Sequence, residues 1–330
     1  MLELVKRNLK EIITVEELKE ILGKEEKKAY IGFEPSGFVH LGWLMCGEKI
    51  KDLVNAGFDV IILLADWHAW INDKLNGNME AIKTCGEYIK DAFTAMGVKG
   101  ISYIYASDLI KNVMYWNLVL KIAKNTSLAR VRRAMDIMGR KAEEAEKDFS
   151  KFIYPIMQVA DIFYLNVDAA LGGMDQRHAH MLARDFADKT KMKKPVALHT
   201  PIISSLKAKG RMDVAKMSKS KPSSAIFIHD GREEIEKKIK KAYCPEGDAS
   251  NPVMEIAHYI LFPHFGTIEI NGKNYETYEE LEKDFVSKAL HPLDLKIGVA
   301  AYLNEIIEPI RNYFKKNPKN LEKLERYMNK

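Results

Sequence analysis

The chain's 330 residues are 47% hydrophobic, 9% aromatic and 29% charged, which excludes a disordered chain, a collagen and a disulfide miniprotein. Its 51 Lys plus Arg against 46 Asp plus Glu leave a net charge of +5, a mild basicity that permits nucleic acid as a partner without arguing for it. The three cysteines, Cys46, Cys85 and Cys244, show neither a CxxC nor metal-ligand spacing, so a reducing cytoplasm is expected and a structural zinc is not.

The length exceeds what one hydrophobic core usually organises, so two domains, or one large α/β domain with an appendage, are expected. The N-terminal stretch MLELVKRNLKEIITVEELKEIL mixes charges of both signs at helical spacing and lacks the apolar run of a signal peptide. Lys28 to Phe33 is β-prone and leads into the turn-rich Glu34-Pro35-Ser36-Gly37. A helix is predicted from about Leu41 to Asn55, stopped at Gly57. Val60 to Ala65 is a continuous apolar segment with the composition of a strand buried on both faces. It is also the longest obvious apolar run, far short of the roughly 18 residues of a membrane span, so a soluble intracellular protein is expected. Strand, glycine-containing loop, helix and buried strand make a βαβ unit. Further β-prone runs at Ser102 to Ala106 and Val196 to Ile203 alternate with helical stretches. The fold class is therefore α/β, with an open, doubly wound parallel sheet over residues 1–222 and a helical insertion around 110–150.

In such a sheet, ligands bind beyond the carboxyl ends of the strands, where the next helix presents unpaired N–H groups. Glu34 to Gly42 occupies that place. Gly37 lets the chain turn, Gly42 leaves the helix start uncovered for a bulky ligand, and His40 can donate to a phosphate oxygen. The same residue types also make an ordinary turn, so spacing alone leaves both readings open. Farther on, Arg130, Arg132, Arg133, Arg140 and Lys141 face only Asp136, which suits either a solvated helix face or an RNA contact. Phe152 to Leu165 reads as an apolar helix carrying Tyr154, Gln158 and Asp161 at i, i+4 and i+7, on one face. Buried polar groups of this kind need partners, whether from an internal network or from a ligand. Gly172-Gly173-Met174-Asp175-Gln176 adds a polar cluster behind glycines that allow close approach.

Between Lys189 and Lys221 stand Lys189, Lys191, Lys193, Lys194, Lys207, Lys209, Arg211, Lys216, Lys219 and Lys221, against one acid, Asp213. The run ends in the serine-containing loop Lys216-Met217-Ser218-Lys219-Ser220. Mobile ammonium groups there suit a polyphosphate leaving group, although a solvated cationic surface is the ordinary alternative. From about Ser223 the pattern becomes helical (Glu233 to Tyr243, Pro252 to Leu261, Tyr278 to Ser287, Leu295 to Phe314), so a mainly α-helical domain is expected over 223–330. Phe265 to Asn274 reads as a short hairpin with an Asn-Gly turn, and the tail from Lys315 as simply polar and basic.

His40-Leu41-Gly42-Trp43 resembles the HIGH signature of class I aminoacyl-tRNA synthetases, with Trp43 in place of the second histidine, and residues 216–220 read KMSKS. Over nearly its whole length the chain resembles the archaeal and eukaryotic branch of the tyrosyl-tRNA synthetases. That resemblance implies that Tyr30 and Asp161 hold the substrate phenol and that Tyr154, Gln158 and Gln176 hold its ammonium group. Asp175 would approach the ribose, with Gly32 and Glu34 lining the floor beneath the adenylate. The ATP contacts it implies are Pro35, Ser36, Gly37, His40, Gly42, Lys216, Met217, Ser218, Lys219 and Ser220, with His40, Lys216 and Lys219 catalytic. Arg133 would read the acceptor stem, and His291 and Asp294 the anticodon; an aspartate after Pro is equally an ordinary helix N-cap. The Phe-Gly-Gly-Asp run that often precedes this segment in relatives is absent. The resemblance further implies ATP with Mg²⁺, no bound organic cofactor, tRNA(Tyr) as partner, no membrane association and a homodimer.

The chemistry is consistent with tyrosine, because a phenol needs one acceptor and one donor, which Asp161 and Tyr30 supply. Phenylalanine would leave both unpaired. A tryptophanyl enzyme is the nearest alternative, but an indole N–H only donates. A small-molecule nucleotidyltransferase and a non-catalytic tRNA-binding paralogue remain as further alternatives.

Overall fold

The computed structural model describes residues 1–138, 148–208, 217 and 222–328. Six strands form the main sheet: β1 (Glu11–Ile13), β2 (Lys28–Phe33), β3 (Asp59–Leu64), β4 (Ile101–Tyr105), β5 (Ala169–Gly173) and β6 (Val196–Thr200). Their order is β1-β6-β5-β2-β3-β4. All pairs are parallel except β1 with β6. The chain runs outward from β2 through β3 to β4, then returns to the other side of β2 for β5 and β6. The direction of winding therefore reverses between β2 and β5, which opens a crevice at their carboxyl ends.

Alternation along the strands sorts the core into two layers. Ile31, Ile62 and Leu64 point to the face covered by the Leu41–Asn55 helix, whereas Tyr30, Ile61 and Leu63 point to the face covered by the Ser150–Tyr164 helix. Tyr30 thus lies on the same side as the polar stripe of that second helix. The first layer is continuous from Val5 to Leu324, so the helices after residue 222 share a core with the sheet.

The structure departs from the sequence expectations at three elements. Within the N-terminal helical region, Glu11–Ile13 is an antiparallel edge strand on β6, because its two isoleucines complete the sheet where no parallel neighbour follows. β5, Ala-Ala-Leu-Gly-Gly, has almost no intrinsic strand preference, yet it is held between β2 and β6. The tail is not merely polar: Lys319–Met328 is a helix whose Leu324 is buried, docked on the Met79–Ala95 helix. The expected hairpin is present as β7 (Ile268–Ile270) and β8 (Lys273–Tyr275), turning through Asn271 and Gly272 at φ 53° and 75°.

Among the described residues no helix is long and apolar enough to cross a membrane.

Candidate active site

A cavity of about 470 Å³ occupies the crevice beyond β2 and β5. Its inner end is polar and almost sealed. Asp161 is 1% exposed, as is Tyr30. Tyr115 Oη donates to Asp161 Oδ1 at 2.8 Å, and His68 Nε2 stands 3.1 Å from Asp161 Oδ2. The Gln158 amide bonds the Tyr30 hydroxyl and donates to Gln176 Oε1 at 3.1 Å. Burial, with the Asp161 charge nearby, drives the Tyr30 phenol far above its ordinary range, so its hydroxyl stays protonated and can donate.

Midway along the wall stands a carboxylate with three partners. Tyr154 Oη donates to Glu34 Oε1 at 3.2 Å, Asn72 Nδ2 donates to the same oxygen at 2.9 Å, and Lys74 Nζ lies 3.5 Å from Oε2. Glu34 thus groups with Tyr154 and offers a negative charge beside Gln158 and Gln176. Gln176 reaches inward because Gly172 leaves room: a Cβ on Gly172 would lie 2.9 Å from the Gln176 Cβ.

The half-buried end is built on the start of the Leu41–Asn55 helix. His40 is its N-cap, with Nδ1 accepting from the Gly42 N–H at 3.2 Å, which places the ring proton of a neutral His40 on Nε2. Gly42 serves this cap directly, since a Cβ there would meet His40 Cε1 at 3.0 Å. Gly42 still lines the cavity, as expected, and the histidine ring fills part of the space that the absent side chain leaves. Trp43 is buried and stacks on Phe33 at 4.3 Å, which makes it a packing residue. Ser36, Gly32, Asp175 and Met217 complete this end. Met217 is buried, and its N–H on Ile203 O at 3.1 Å ties this residue to the chain just after β6. Cys46 also lines the cavity, but burial, assisted by Asp175, pushes its thiol up to about 12, too high for a nucleophile at neutral pH.

The cavity thus brings together Tyr30, Gly32, Glu34, Ser36, His40, Gly42, Tyr154, Gln158, Asp161, Asp175, Gln176 and Met217. Pro35 and Gly37 are buried in the turn and are not among its lining residues. Lys216, Ser218, Lys219 and Ser220 lie outside the described residues, as do Arg140 and Lys141. The basic run of 189–221 is not one loop. Lys193 pairs with Asp168, Lys194 with Asp188, and Lys207 donates to Ser223, so these ammonium groups hold the fold together. Arg133 is exposed on the Leu128–Ala134 helix, whereas neighbouring Arg130 is paired with Asp185.

Far from the cavity, His291 caps the Pro292–Lys316 helix by accepting from the Leu293 N–H at 3.1 Å. Asp294 is therefore not the N-cap; it sits inside the first turn and accepts from Asn271 at 3.2 Å.

Two residues at the inner end escaped sequence reasoning. His68 follows the buried strand at its carboxyl end, which is itself a signal. Tyr115, on the Val113–Lys124 helix, looks like any core aromatic.

A family model for class I tRNA synthetases (W and Y) matches residues 23–308. The tyrosine–tRNA ligase of Saccharolobus solfataricus is 49% identical over 348 residues, covering 98% of this chain and 95% of that protein. The crystal structure of tyrosyl-tRNA synthetase from Aeropyrum pernix superposes with a TM-score of 0.92 at 50% identity, over 100% of this chain and 98% of that one. The Pyrococcus horikoshii tyrosyl-tRNA synthetase, solved with L-tyrosine, gives 0.91 at 41% identity over 98% of both chains. Similar along almost the whole of each of these proteins, the chain belongs to the tyrosine–tRNA ligases, class I tRNA synthetases of the archaeal type.

Proposed function

We propose that tyrosine lies along the cavity with its phenol between Tyr30 and Asp161 and its ammonium group among Tyr154, Gln158, Gln176 and the Glu34 carboxylate. The observation that carries this reading is the sealed inner end, where one buried carboxylate and one protonated phenol supply the acceptor and the donor that a hydroxyl needs. ATP takes the half-buried end, with its ribose near Asp175 and its phosphates at His40 and Ser36. The helix start expected from the sequence adds no free donor, because the N–H groups of Leu41, Gly42 and Trp43 are bonded to Ile226 O, His40 Nδ1 and His40 O; His40 Nε2 and the Ser36 hydroxyl are the donors that suit phosphate oxygens. Mg²⁺ would be held chiefly by the triphosphate, where it neutralises charge.

Tyrosine–tRNA ligases join their amino acid to tRNA in two steps. The tyrosine carboxylate attacks the α-phosphorus in line, the bond to the β-phosphate oxygen breaks, and pyrophosphate leaves. The terminal ribose hydroxyl of the tRNA then attacks the tyrosyl carbonyl and AMP departs. With no activated protein nucleophile among the described residues of the cavity, the protein contributes orientation and charge stabilisation. Lys216 and Lys219 close on the departing pyrophosphate.

Residues 1–222 form and transfer the adenylate, and 223–330 recognise RNA through His291 and Asp294, while Arg133 meets the acceptor stem. The protein works in the cytoplasm as a homodimer. The Val113–Lys124 helix supports pairing, since Val113, Met114, Trp116 and Leu120 stand exposed on it; sedimentation of Leu120→Glu as a monomer would bear this out.

Tyr30→Phe tests the phenol subsite. It removes the donor alone, so kcat/KM for tyrosine in pyrophosphate exchange should fall while that for phenylalanine does not. Equal losses for the two amino acids would contradict the placement.

A further inference from the structure

Asp161 is a carboxylate in an almost waterless place, and such a group is costly unless hydrogen bonds and a positive charge meet it. Two side chains do so, Tyr115 from behind the cavity wall and His68 from the wall itself. Tyr115 comes from the Val113–Lys124 helix and bonds Oδ1; His68 comes from the Asp66–Ile71 helix and approaches Oδ2. Tyr115 donates at 2.8 Å and is fully buried. His68 is 2% exposed, and neither ring nitrogen makes a hydrogen bond of good geometry. A neutral imidazole in that position would waste two polar atoms; an imidazolium beside Asp161 gains a charge partner.

We propose that Tyr115 and His68 are positioning residues for tyrosine specificity: they fix the Asp161 carboxylate from both sides, leaving its remaining lone pairs aimed at the substrate hydroxyl. This rests on the placement of the phenol at Tyr30 and Asp161. A carboxylate accepts at about four sites, so the Tyr115 bond at Oδ1 and the His68 ring beside Oδ2 leave room for a bond from tyrosine. Phenylalanine draws no benefit from the arrangement.

The groups facing His68 are Asp161 and Tyr154 from the Ser150–Tyr164 helix, Glu34 from the loop after β2, and Asp66 on its own helix. Burial opposes its charge, but Asp161, Glu34 and Asp66 outweigh burial and raise its pKa above the ordinary 6.5. The His68 charge is therefore complete below 6.5 and is lost as pH rises through the raised value.

Tyr115→Phe and His68→Gln test the proposal by the ratio of kcat/KM for tyrosine to that for phenylalanine in ATP–pyrophosphate exchange across pH. A ratio cancels effects common to both substrates, including ammonium titration and partial loss of fold. Tyr115→Phe deletes one oxygen and should lower the ratio about ten- to a hundredfold, the range for a hydrogen bond to a charged group. In the wild type the ratio should fall as pH rises through the His68 titration, and His68→Gln should lower the low-pH ratio and abolish that fall. Parallel losses for the two amino acids in Tyr115→Phe, or the same pH limb in His68→Gln, would overturn the proposal. Tyr30→Phe run alongside separates the levels. If it loses discrimination while both variants keep theirs, the phenol placement stands and this inference fails; if it keeps full discrimination, the placement fails and takes the inference with it.

Discussion

Replacing His40 separates two roles of one ring. Through Nδ1 it caps a 15-residue helix with a 3.2 Å bond from Gly42, and from the same place it faces the phosphate end of the cavity. Loss of a cap costs about 0.5–2 kcal/mol. Loss of a donor that acts on developing charge costs about 10²–10³ in rate. His40→Ala should show both: a lower urea midpoint and slow pyrophosphate exchange. His40→Asn supplies a good capping oxygen, so the midpoint should return close to that of the wild type while exchange stays about 10²-fold or more slow. A destabilisation of about 1 kcal/mol leaves a protein of ordinary stability almost wholly folded, so it does not explain such a rate loss. Exchange by His40→Asn at the wild-type rate would refute the phosphate role and leave His40 as a cap.

Lys219→Ala should slow exchange strongly while tyrosine binding, measured by equilibrium dialysis, is unchanged; unaltered exchange would remove the KMSKS loop from the chemistry. Gly172→Ala puts a Cβ 2.9 Å from the Gln176 Cβ and 3.1 Å from the buried His180 ring, neither of which is a flexible side-chain tip, so the tyrosine KM should rise and the urea midpoint should fall, as steady-state kinetics and urea unfolding would reveal. Asp52→Asn leaves Lys49, fully buried and 2.9 Å from Asp52, without its counter-charge. Unfolding free energy should fall by about 3–5 kcal/mol; a change near zero would mean that the Leu4 and Val5 carbonyls, which Lys49 also bonds, suffice.

Much of the site is legible in the sequence because its residues break local rules. Tyr154, Gln158 and Asp161 are polar on an otherwise apolar helix, and the loop from Glu34 to Gly42 ends a strand where open sheets bind ligands. Tyr115 breaks no rule: an aromatic on an amphipathic helix packs inward whether or not its hydroxyl meets Asp161. The partners of Glu34 are hidden for a related reason, since its pairing with Tyr154 and Asn72 spans long chain distances that no spacing encodes. In the fold, β5 is invisible because its stability comes from the strands on either side of it, and β1 because three residues carry too little pattern. The helix N-cap at His291, one residue before Pro292, shows the opposite failure. There the nearby Asp294 offered the more familiar capping residue, while the ring nitrogen of His291 does the work.

The most direct test is exchange of labelled pyrophosphate into ATP by the wild-type protein, with tyrosine, phenylalanine and tryptophan supplied one at a time. Exchange that depends on tyrosine and is negligible with the other two is the result that a sealed acceptor–donor pair at Asp161 and Tyr30 requires. Comparable exchange with phenylalanine or tryptophan would contradict it.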